Sequence, residues 1–246
     1  MTQTQIELRT EDGACPAFVF RPEGDGPFPA VLVFMDGVGI RPAMLEIGAR
    51  LAASGYYALL PDLFYRAGPY APMDPKVMFA DPARRAELFG RFMSGATAAN
   101  VMRDARSFLD YLAAQTDVRQ SAIGTTGYCM GGRLSLVAAG TFPERIAAAA
   151  SYHGANLAND APESPHRLAP KMKARVYVAG ATDDASFPAE QKARLEEALT
   201  AANVRHVVET YPARHGWVLT DMPAHDPAQA ERHWRTLLAL FAETLS

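Results

Sequence analysis

The chain is poor in cysteine and lacks any long apolar run, which argues against a disulfide-rich protein and against a membrane-spanning one. Its 246 residues include only two cysteines, Cys15 and Cys129, so a disulfide framework is not indicated and a reducing, cytoplasmic compartment is expected. No uncharged apolar segment approaches the roughly 18 residues of a membrane-spanning helix. Because residues 1–13 lack a basic region followed by an apolar one, no signal peptide is expected either.

An excess of positive charge is also missing. Lys and Arg number 24 against 27 Asp and Glu, giving a net charge of -3, and no basic cluster stands out. A nucleic-acid-binding surface needs such a cluster to neutralise phosphates, so nucleic acid is not an expected partner. What the chain does have is 49% hydrophobic residues, enough for a full-sized core. We expect a small-molecule partner, no membrane association, no cofactor and no metal, while the sequence leaves the oligomeric state open.

Strand and helix patterns alternate along the chain. Strands are predicted at 6–10, 17–20, 30–35, 56–64, 122–128, 145–154, 174–184 and 205–216, and helices at 41–55, 98–115, 188–203, 226–245 and from about Gly131 onward. Residues 65–90, rich in Pro and Gly, are predicted to be an irregular excursion. About eight strands alternating with helices predict one α/β domain over residues 1–246, with a mostly parallel, doubly wound sheet. In such sheets, sites form at the carboxyl ends of the strands.

Cys129 lies at one of these strand ends, within the sequence Gly-Tyr-Cys-Met-Gly at 127–131. A Gly-x-Cys-x-Gly turn between a buried strand and a helix is typical of a nucleophile elbow, whose small neighbours let the chain fold back tightly. The following helix directs backbone N–H groups and partial positive charge at the thiol, which favours the thiolate. An inert, buried cysteine is the alternative, but the placement favours a reactive one.

A thiol near its ordinary pKa needs a base close by, and His215 is the best candidate. It follows a predicted strand and precedes Gly216, which allows a loop to turn into the site. His153 also stands at a strand end and could line the pocket. The remaining histidines are interpreted as solvated residues: His166, His206, His225 and His233.

The third member of such a site is a carboxylate that orients the imidazole. Asp183 and Asp184 both follow the 174–184 strand; Asp184 is favoured, and Asp183 stays open as the alternative. The order nucleophile, acid, histidine along the chain is that of α/β-hydrolases. The backbone N–H groups of Met130 and Gly37 are the expected oxyanion donors.

These segments resemble the dienelactone hydrolase family, which has the α/β-hydrolase fold with helices on both faces of the sheet. The matching segments cover nearly the whole chain in the same order: AVLVFMDGVG, YYALLPDLF, GYCMGG, DDASFP and ARHGW. The resemblance implies a hydrolase of small esters or lactones that uses Cys129, Asp184 and His215 through a thioester acyl-enzyme. A non-catalytic relative that binds a small carboxylate, and a redox protein using Cys129, are the alternatives.

The resemblance also implies a carboxylate that controls the thiol and arginines that hold a substrate carboxylate. Asp36 stands at the position of the family's usual glutamate, and its charge would oppose thiol ionisation. Leu219 stands where one of the arginines is expected, and Arg84 or Arg85 could supply another. The expected pocket walls are aromatic: Phe64, Tyr65, Tyr128 and Trp217.

Overall fold

The computed structural model, which describes residues 1–245, has one eight-stranded sheet with the order β1-β2-β4-β3-β5-β6-β7-β8. The strands are β1 (Thr2–Thr10), β2 (Gly13–Arg21), β3 (Ala30–Phe34), β4 (Tyr57–Pro61), β5 (Ile123–Tyr128), β6 (Ile146–Tyr152), β7 (Arg175–Ala181) and β8 (His206–Tyr211). β2 pairs antiparallel with β1 and β4, and all other pairs are parallel. The predicted mostly parallel α/β sheet is confirmed.

Seven α-helices accompany the sheet within residues 1–245: α1 (Pro42–Ala53), α2 (Pro75–Ala80), α3 (Pro82–Met93), α4 (Ala98–Ala114), α5 (Met130–Thr141), α6 (Ala189–Ala201) and α7 (Pro227–Thr244). Every residue of β3, β4 and β5 is buried, as expected for central strands covered on both faces. Short 3₁₀ turns lie at Tyr65–Ala67 and Pro165–Lys171. None of the helices in this part of the chain is both long and apolar enough to cross a bilayer.

The prediction of an irregular excursion over residues 65–90 was wrong, because α2 and most of α3 lie there. Each of these helices begins at an Asp-Pro pair. The Asp74 carboxylate accepts the Lys76 N–H, and Asp81 accepts the Ala83 and Arg84 N–H groups. An acidic cap followed by proline at the first helical position is a strong start signal, but the surrounding Pro and Gly content obscured it.

The order of the parallel strands brings the candidate residues to one edge of the sheet. Neighbouring strands β3, β5, β6, β7 and β8 run in the same direction. Their carboxyl ends lead directly into Asp36, Cys129, His153, Asp184 and His215 respectively. The fold therefore places residues that are far apart in the sequence in one row.

Candidate active site

Cys129 occupies the turn between β5 and α5 in a strained backbone conformation, with φ 54° and ψ −114°. The turn is tight because two glycines allow it. A Cβ on Gly127 would overlap the Gly131 carbonyl, and one on Gly131 would overlap the Phe34 carbonyl at the end of β3. The start of α5 thus packs directly on strand backbones. Left-handed backbone at a residue other than glycine is characteristic of functional sites, and here it leaves the cysteine partly exposed.

His215 is held by Asp184. Its Nδ1 lies 2.7 Å from Asp184 Oδ2, and Ser186 donates to the other carboxylate oxygen through its hydroxyl (2.6 Å) and its backbone N–H (2.9 Å). Burial raises the pKa of Asp184, but these hydrogen bonds and the His215 charge outweigh it and lower the pKa to about 2. Asp183, the open alternative, is exposed. The structure therefore brings Asp184, rather than its neighbour, to the imidazole.

The environment of His215 favours the imidazolium. Burial acts to lower its pKa, but the hydrogen bond to Asp184, the nearby Cys129 side chain and the charges of both groups raise the pKa to about 10. Because Nδ1 bonds Asp184, Nε2 is the ring nitrogen left for the thiol. An imidazolium between a carboxylate and a sulfur is the arrangement that stabilises a thiolate nucleophile.

Two backbone N–H groups near the cysteine are available to bind an oxyanion. The Val38 N–H donates to Asp36 Oδ1 at 3.0 Å, which excludes it as a donor to substrate. Within residues 1–245, the Gly37 N–H has no backbone acceptor, and the Met130 N–H belongs to the first turn of α5, where N–H groups have no intrahelical acceptor. Because Gly131 lets α5 approach the end of β3, both expected donors lie at the same edge of the sheet.

The expectation that Asp36 opposes thiol ionisation stays a prediction, but its role is revised because the carboxylate is ion-paired. Arg41 donates to both Asp36 oxygens, at 2.7 and 3.0 Å, and to both Asp221 oxygens, at 2.6 and 3.1 Å. The Arg41 and Asp36 side chains are 1% and 3% exposed. The Asp36 charge is thus partly offset by a buried guanidinium, shared with Asp221, that links the loop after β3 to the loop after β8.

The expected aromatic walls Tyr128 and Trp217 also need correction, because both side chains are fully buried. The Tyr128 hydroxyl lies 3.0 Å from His233 Nε2, and Trp217 stacks on Tyr211 with ring centroids 5.3 Å apart. Neither side chain borders accessible space. They belong to the core beneath the site, as does the buried ring of Phe64.

The other residues considered for substrate contact lie elsewhere. The Tyr65 hydroxyl bonds Thr10 and Asp104, Leu219 is buried, and Arg84 lines a separate groove along α2 and α3. Arg85 is partly buried and lies over the Phe79 ring. Among residues 1–245, none of these side chains forms a hydrogen bond with His215.

His153 lies beside His215, as its strand-end position suggested, but it is buried and does not line the pocket. Its ring centroid is 4.9 Å from that of His215 and 5.0 Å from that of Trp217. It is 1% exposed, and within the described residues neither ring nitrogen has a hydrogen-bond partner. Burial, followed by the His215 charge, lowers its pKa well below the ordinary value. His153 is therefore a neutral ring packed behind the imidazole.

Two separate depressions are lined by different residues of the candidate site. A cleft of about 910 Å³ is lined by His215, Asp184 and the loop that contains His225. A smaller pocket of about 250 Å³ is lined by Met93, Met130 and neighbouring residues of α4 and α5. No pattern in the sequence indicated that Met93 lines a pocket, because a methionine at the end of a helix usually packs in the hydrophobic core.

Comparisons with known proteins agree on one family. Residues 15–245 match the sequence model described as the Dienelactone hydrolase family. A protein of Escherichia coli (strain K12) named "Putative carboxymethylenebutenolidase" is 31% identical over 239 residues, which cover 93% of this chain and 82% of that protein. The "Carboxymethylenebutenolidase" of Pseudomonas sp. (strain P51) is 29% identical over 203 residues, covering 82% of this chain and 79% of that one.

A solved structure has the same fold over nearly the full chain. The crystal structure named "Putative Dienelactone Hydrolase from Klebsiella pneumoniae subsp. pneumoniae MGH 78578" superposes with a TM-score of 0.84 at 26% identity, covering 98% of each chain. The similarity therefore spans the sheet and the loops that carry the candidate residues.

Proposed function

This chain belongs to the dienelactone hydrolase family, and on that premise we propose that it hydrolyses small carboxylic esters or lactones with Cys129 as nucleophile. His215 serves as the proton carrier and Asp184 holds its ring. The observation that carries the proposal is the 2.7 Å bond from His215 to Asp184, at the edge of the sheet where Cys129 occupies its strained turn.

In the first half of the reaction, the Cys129 thiolate attacks the ester carbonyl carbon and a C–S bond forms. The carbonyl oxygen becomes an oxyanion, which the N–H groups of Gly37 and Met130 stabilise. One such donor typically contributes about 3 kcal/mol to lowering the barrier. When the tetrahedral intermediate collapses, the C–O bond to the alcohol breaks and His215 gives that oxygen its proton. The product is a thioester on Cys129 and a free alcohol, which in a lactone remains attached.

In the second half, water attacks the thioester while His215 takes one of its protons. The new C–O bond forms, the C–S bond breaks, and the acid leaves. Cys129 returns as thiolate beside protonated His215, so the pair is regenerated. Asp184 stabilises the imidazolium and fixes which ring nitrogen faces the reaction throughout.

Hydrolysis of p-nitrophenyl acetate before and after treatment with iodoacetamide tests this proposal. We expect alkylation to abolish turnover and Cys129→Ala to lack it. Cys15→Ala is the matched control: this cysteine is fully buried and burial raises its pKa, so the variant should keep its activity and its sensitivity to iodoacetamide.

Three outcomes would contradict the proposal. Full activity in Cys129→Ala would exclude the cysteine as nucleophile. Tight binding of a small carboxylate without turnover of any ester or lactone would indicate a binding protein. A gain of oxygen on Cys129 after peroxide, without esterase activity, would indicate a redox role.

A further inference from the structure

The small pocket beside Met130 has the position expected of an acyl-binding site. Met130 follows the nucleophile, and Met93 reaches the pocket from the end of α3. The Met93 methyl group also touches the loop after β3, because a Cβ on Gly37 would lie only 2.6 Å from it. Met93 thus links the pocket, which Met130 also lines, to the Gly37 loop.

The two depressions differ in which catalytic group they contact. His215 must protonate the leaving oxygen, so the alcohol portion of a substrate has to lie on the side of this residue. The larger cleft includes His215 but neither Met93 nor Met130, whereas the smaller pocket includes both methionines but not His215. The acyl carbon bonds the Cys129 sulfur, and Met130, the next residue, lines the smaller pocket, so the acyl chain extends toward the methionines.

The lining of the small pocket indicates an uncharged acyl group. Apart from one ion pair, its side chains are small or apolar. That pair is Arg133 and Glu163, with Arg133 Nη2 lying 3.3 Å from Glu163 Oε1, so its charges offset each other. A volume of about 250 Å³ corresponds to about eight water molecules at about 30 Å³ each, which limits the chain to a similar number of heavy atoms.

We propose that this chain prefers esters of a short, uncharged acid with a larger alcohol, and that Met93 sets the upper length of the acyl chain. This inference rests on the proposed function. Methionine suits the role because its flexible thioether fills irregular space next to Gly37. Met93→Ala removes three heavy atoms from the pocket wall and lengthens the space for the chain.

A series of p-nitrophenyl esters from acetate to decanoate tests the role of Met93. We expect the wild-type kcat/KM to fall as the acyl chain grows longer than hexanoate or octanoate. Met93→Ala should raise the ratio of kcat/KM for decanoate to that for butyrate by about tenfold or more, because one methylene contributes about 10-fold or more to discrimination. Met93→Phe should lower the same ratio. Met73→Ala is the matched control, because Met73 lines the separate groove by α2 and the substitution should leave the profile unchanged.

A pair of isomeric esters tests the orientation. Octyl acetate and methyl nonanoate have the same composition and similar alkoxide leaving groups. The ratio of their hydrolysis rates therefore shows whether the acyl side or the alcohol side of the substrate can be large. We expect octyl acetate to be hydrolysed faster by about tenfold or more. An equal or faster rate for methyl nonanoate overturns the orientation, and an unchanged chain-length profile in Met93→Ala overturns the role of Met93.

The ratio of decanoate to butyrate hydrolysis distinguishes a failure of this inference from a failure of the proposed function. If Cys129→Ala retains hydrolysis of every ester, the proposed function fails. If hydrolysis depends on Cys129 but neither Met93 variant changes the decanoate to butyrate ratio, only the inference fails. A general loss of rate in Met93→Ala, caused by movement of the Gly37 loop, would lower the rates of all esters together. The ratio would then stay at its wild-type value, which also overturns the inference.

Discussion

Arg41→Met should destabilise the protein severely, because it leaves a buried carboxylate without its partner. Arg41 donates to both oxygens of Asp36, whose side chain is 3% exposed. Breaking a buried ion pair by removing one partner costs about 3–5 kcal/mol. In a chain of this size, about 2–4 °C of Tm is lost per kcal/mol, so we expect a fall of roughly 6–20 °C.

Urea unfolding followed by circular dichroism measures the free-energy change. Asp221→Asn serves as a milder comparison variant. Asp221 bonds the same guanidinium but its side chain is 31% exposed, so loss of its charge should lower the free energy of unfolding by only about 1 kcal/mol or less. The double variant Asp36→Asn, Arg41→Met should be more stable than Arg41→Met alone, because it removes the uncompensated charge. If Arg41→Met unfolds at the wild-type urea concentration, Arg41 and Asp36 are not a buried structural pair and the revised role of Asp36 is wrong.

Three further outcomes are expected. Asp184→Asn should lower kcat by roughly 10³–10⁴-fold, because a neutral amide neither fixes the ring tautomer nor stabilises the imidazolium. Cys129→Ala should lower the pKa of His215 below about 10 in an NMR titration, since the sulfur is one cause of the raised value. In the wild-type protein, the raised pKa of His215 contributes fully to the stability of the fold below pH ~6.5. This contribution is lost as the pH rises through about 10. Gly131→Ala should prevent folding or abolish activity, whereas Gly90→Ala, with open space around its Cβ, should stabilise helix α3 by about 1 kcal/mol.

Each of these expectations has a result that contradicts it. Wild-type turnover in Asp184→Asn would remove the carboxylate from the mechanism. An unchanged His215 titration in Cys129→Ala would mean that the sulfur and the ring do not interact. A fully active, stable Gly131→Ala would show that the helix does not pack as closely on β3 as the structure has it.

The sequence was sufficient to predict the sheet and the row of residues at its edge. Buried runs that end in a polar or reactive residue identify central parallel strands, and the carboxyl ends of such strands meet at one edge. This reasoning assigned Cys129, Asp184 and His215 to one candidate site, and the structure brings Asp184 and His215 into contact. It left Asp183 open, because adjacent carboxylates have the same local pattern and only the loop conformation separates them.

What the sequence did not indicate depends on contacts between distant segments. The pairing of Arg41 with Asp221 spans 180 positions, and no periodicity or capping pattern encodes such a contact. Burial of Tyr128 and Trp217 was also missed, because an aromatic residue beside a catalytic one fits a pocket wall and a core equally well. The packing of His153 on His215 depends on the lateral order of β6, β7 and β8 and on their loops.

Intact-protein mass spectrometry during turnover of p-nitrophenyl acetate, followed by peptide mapping, tests whether Cys129 forms the covalent intermediate. The proposal requires a transient gain of one acetyl group, located on the peptide that contains Cys129 and absent from Cys129→Ala. An acetyl group on any other residue during turnover, or wild-type turnover by Cys129→Ala, would contradict it.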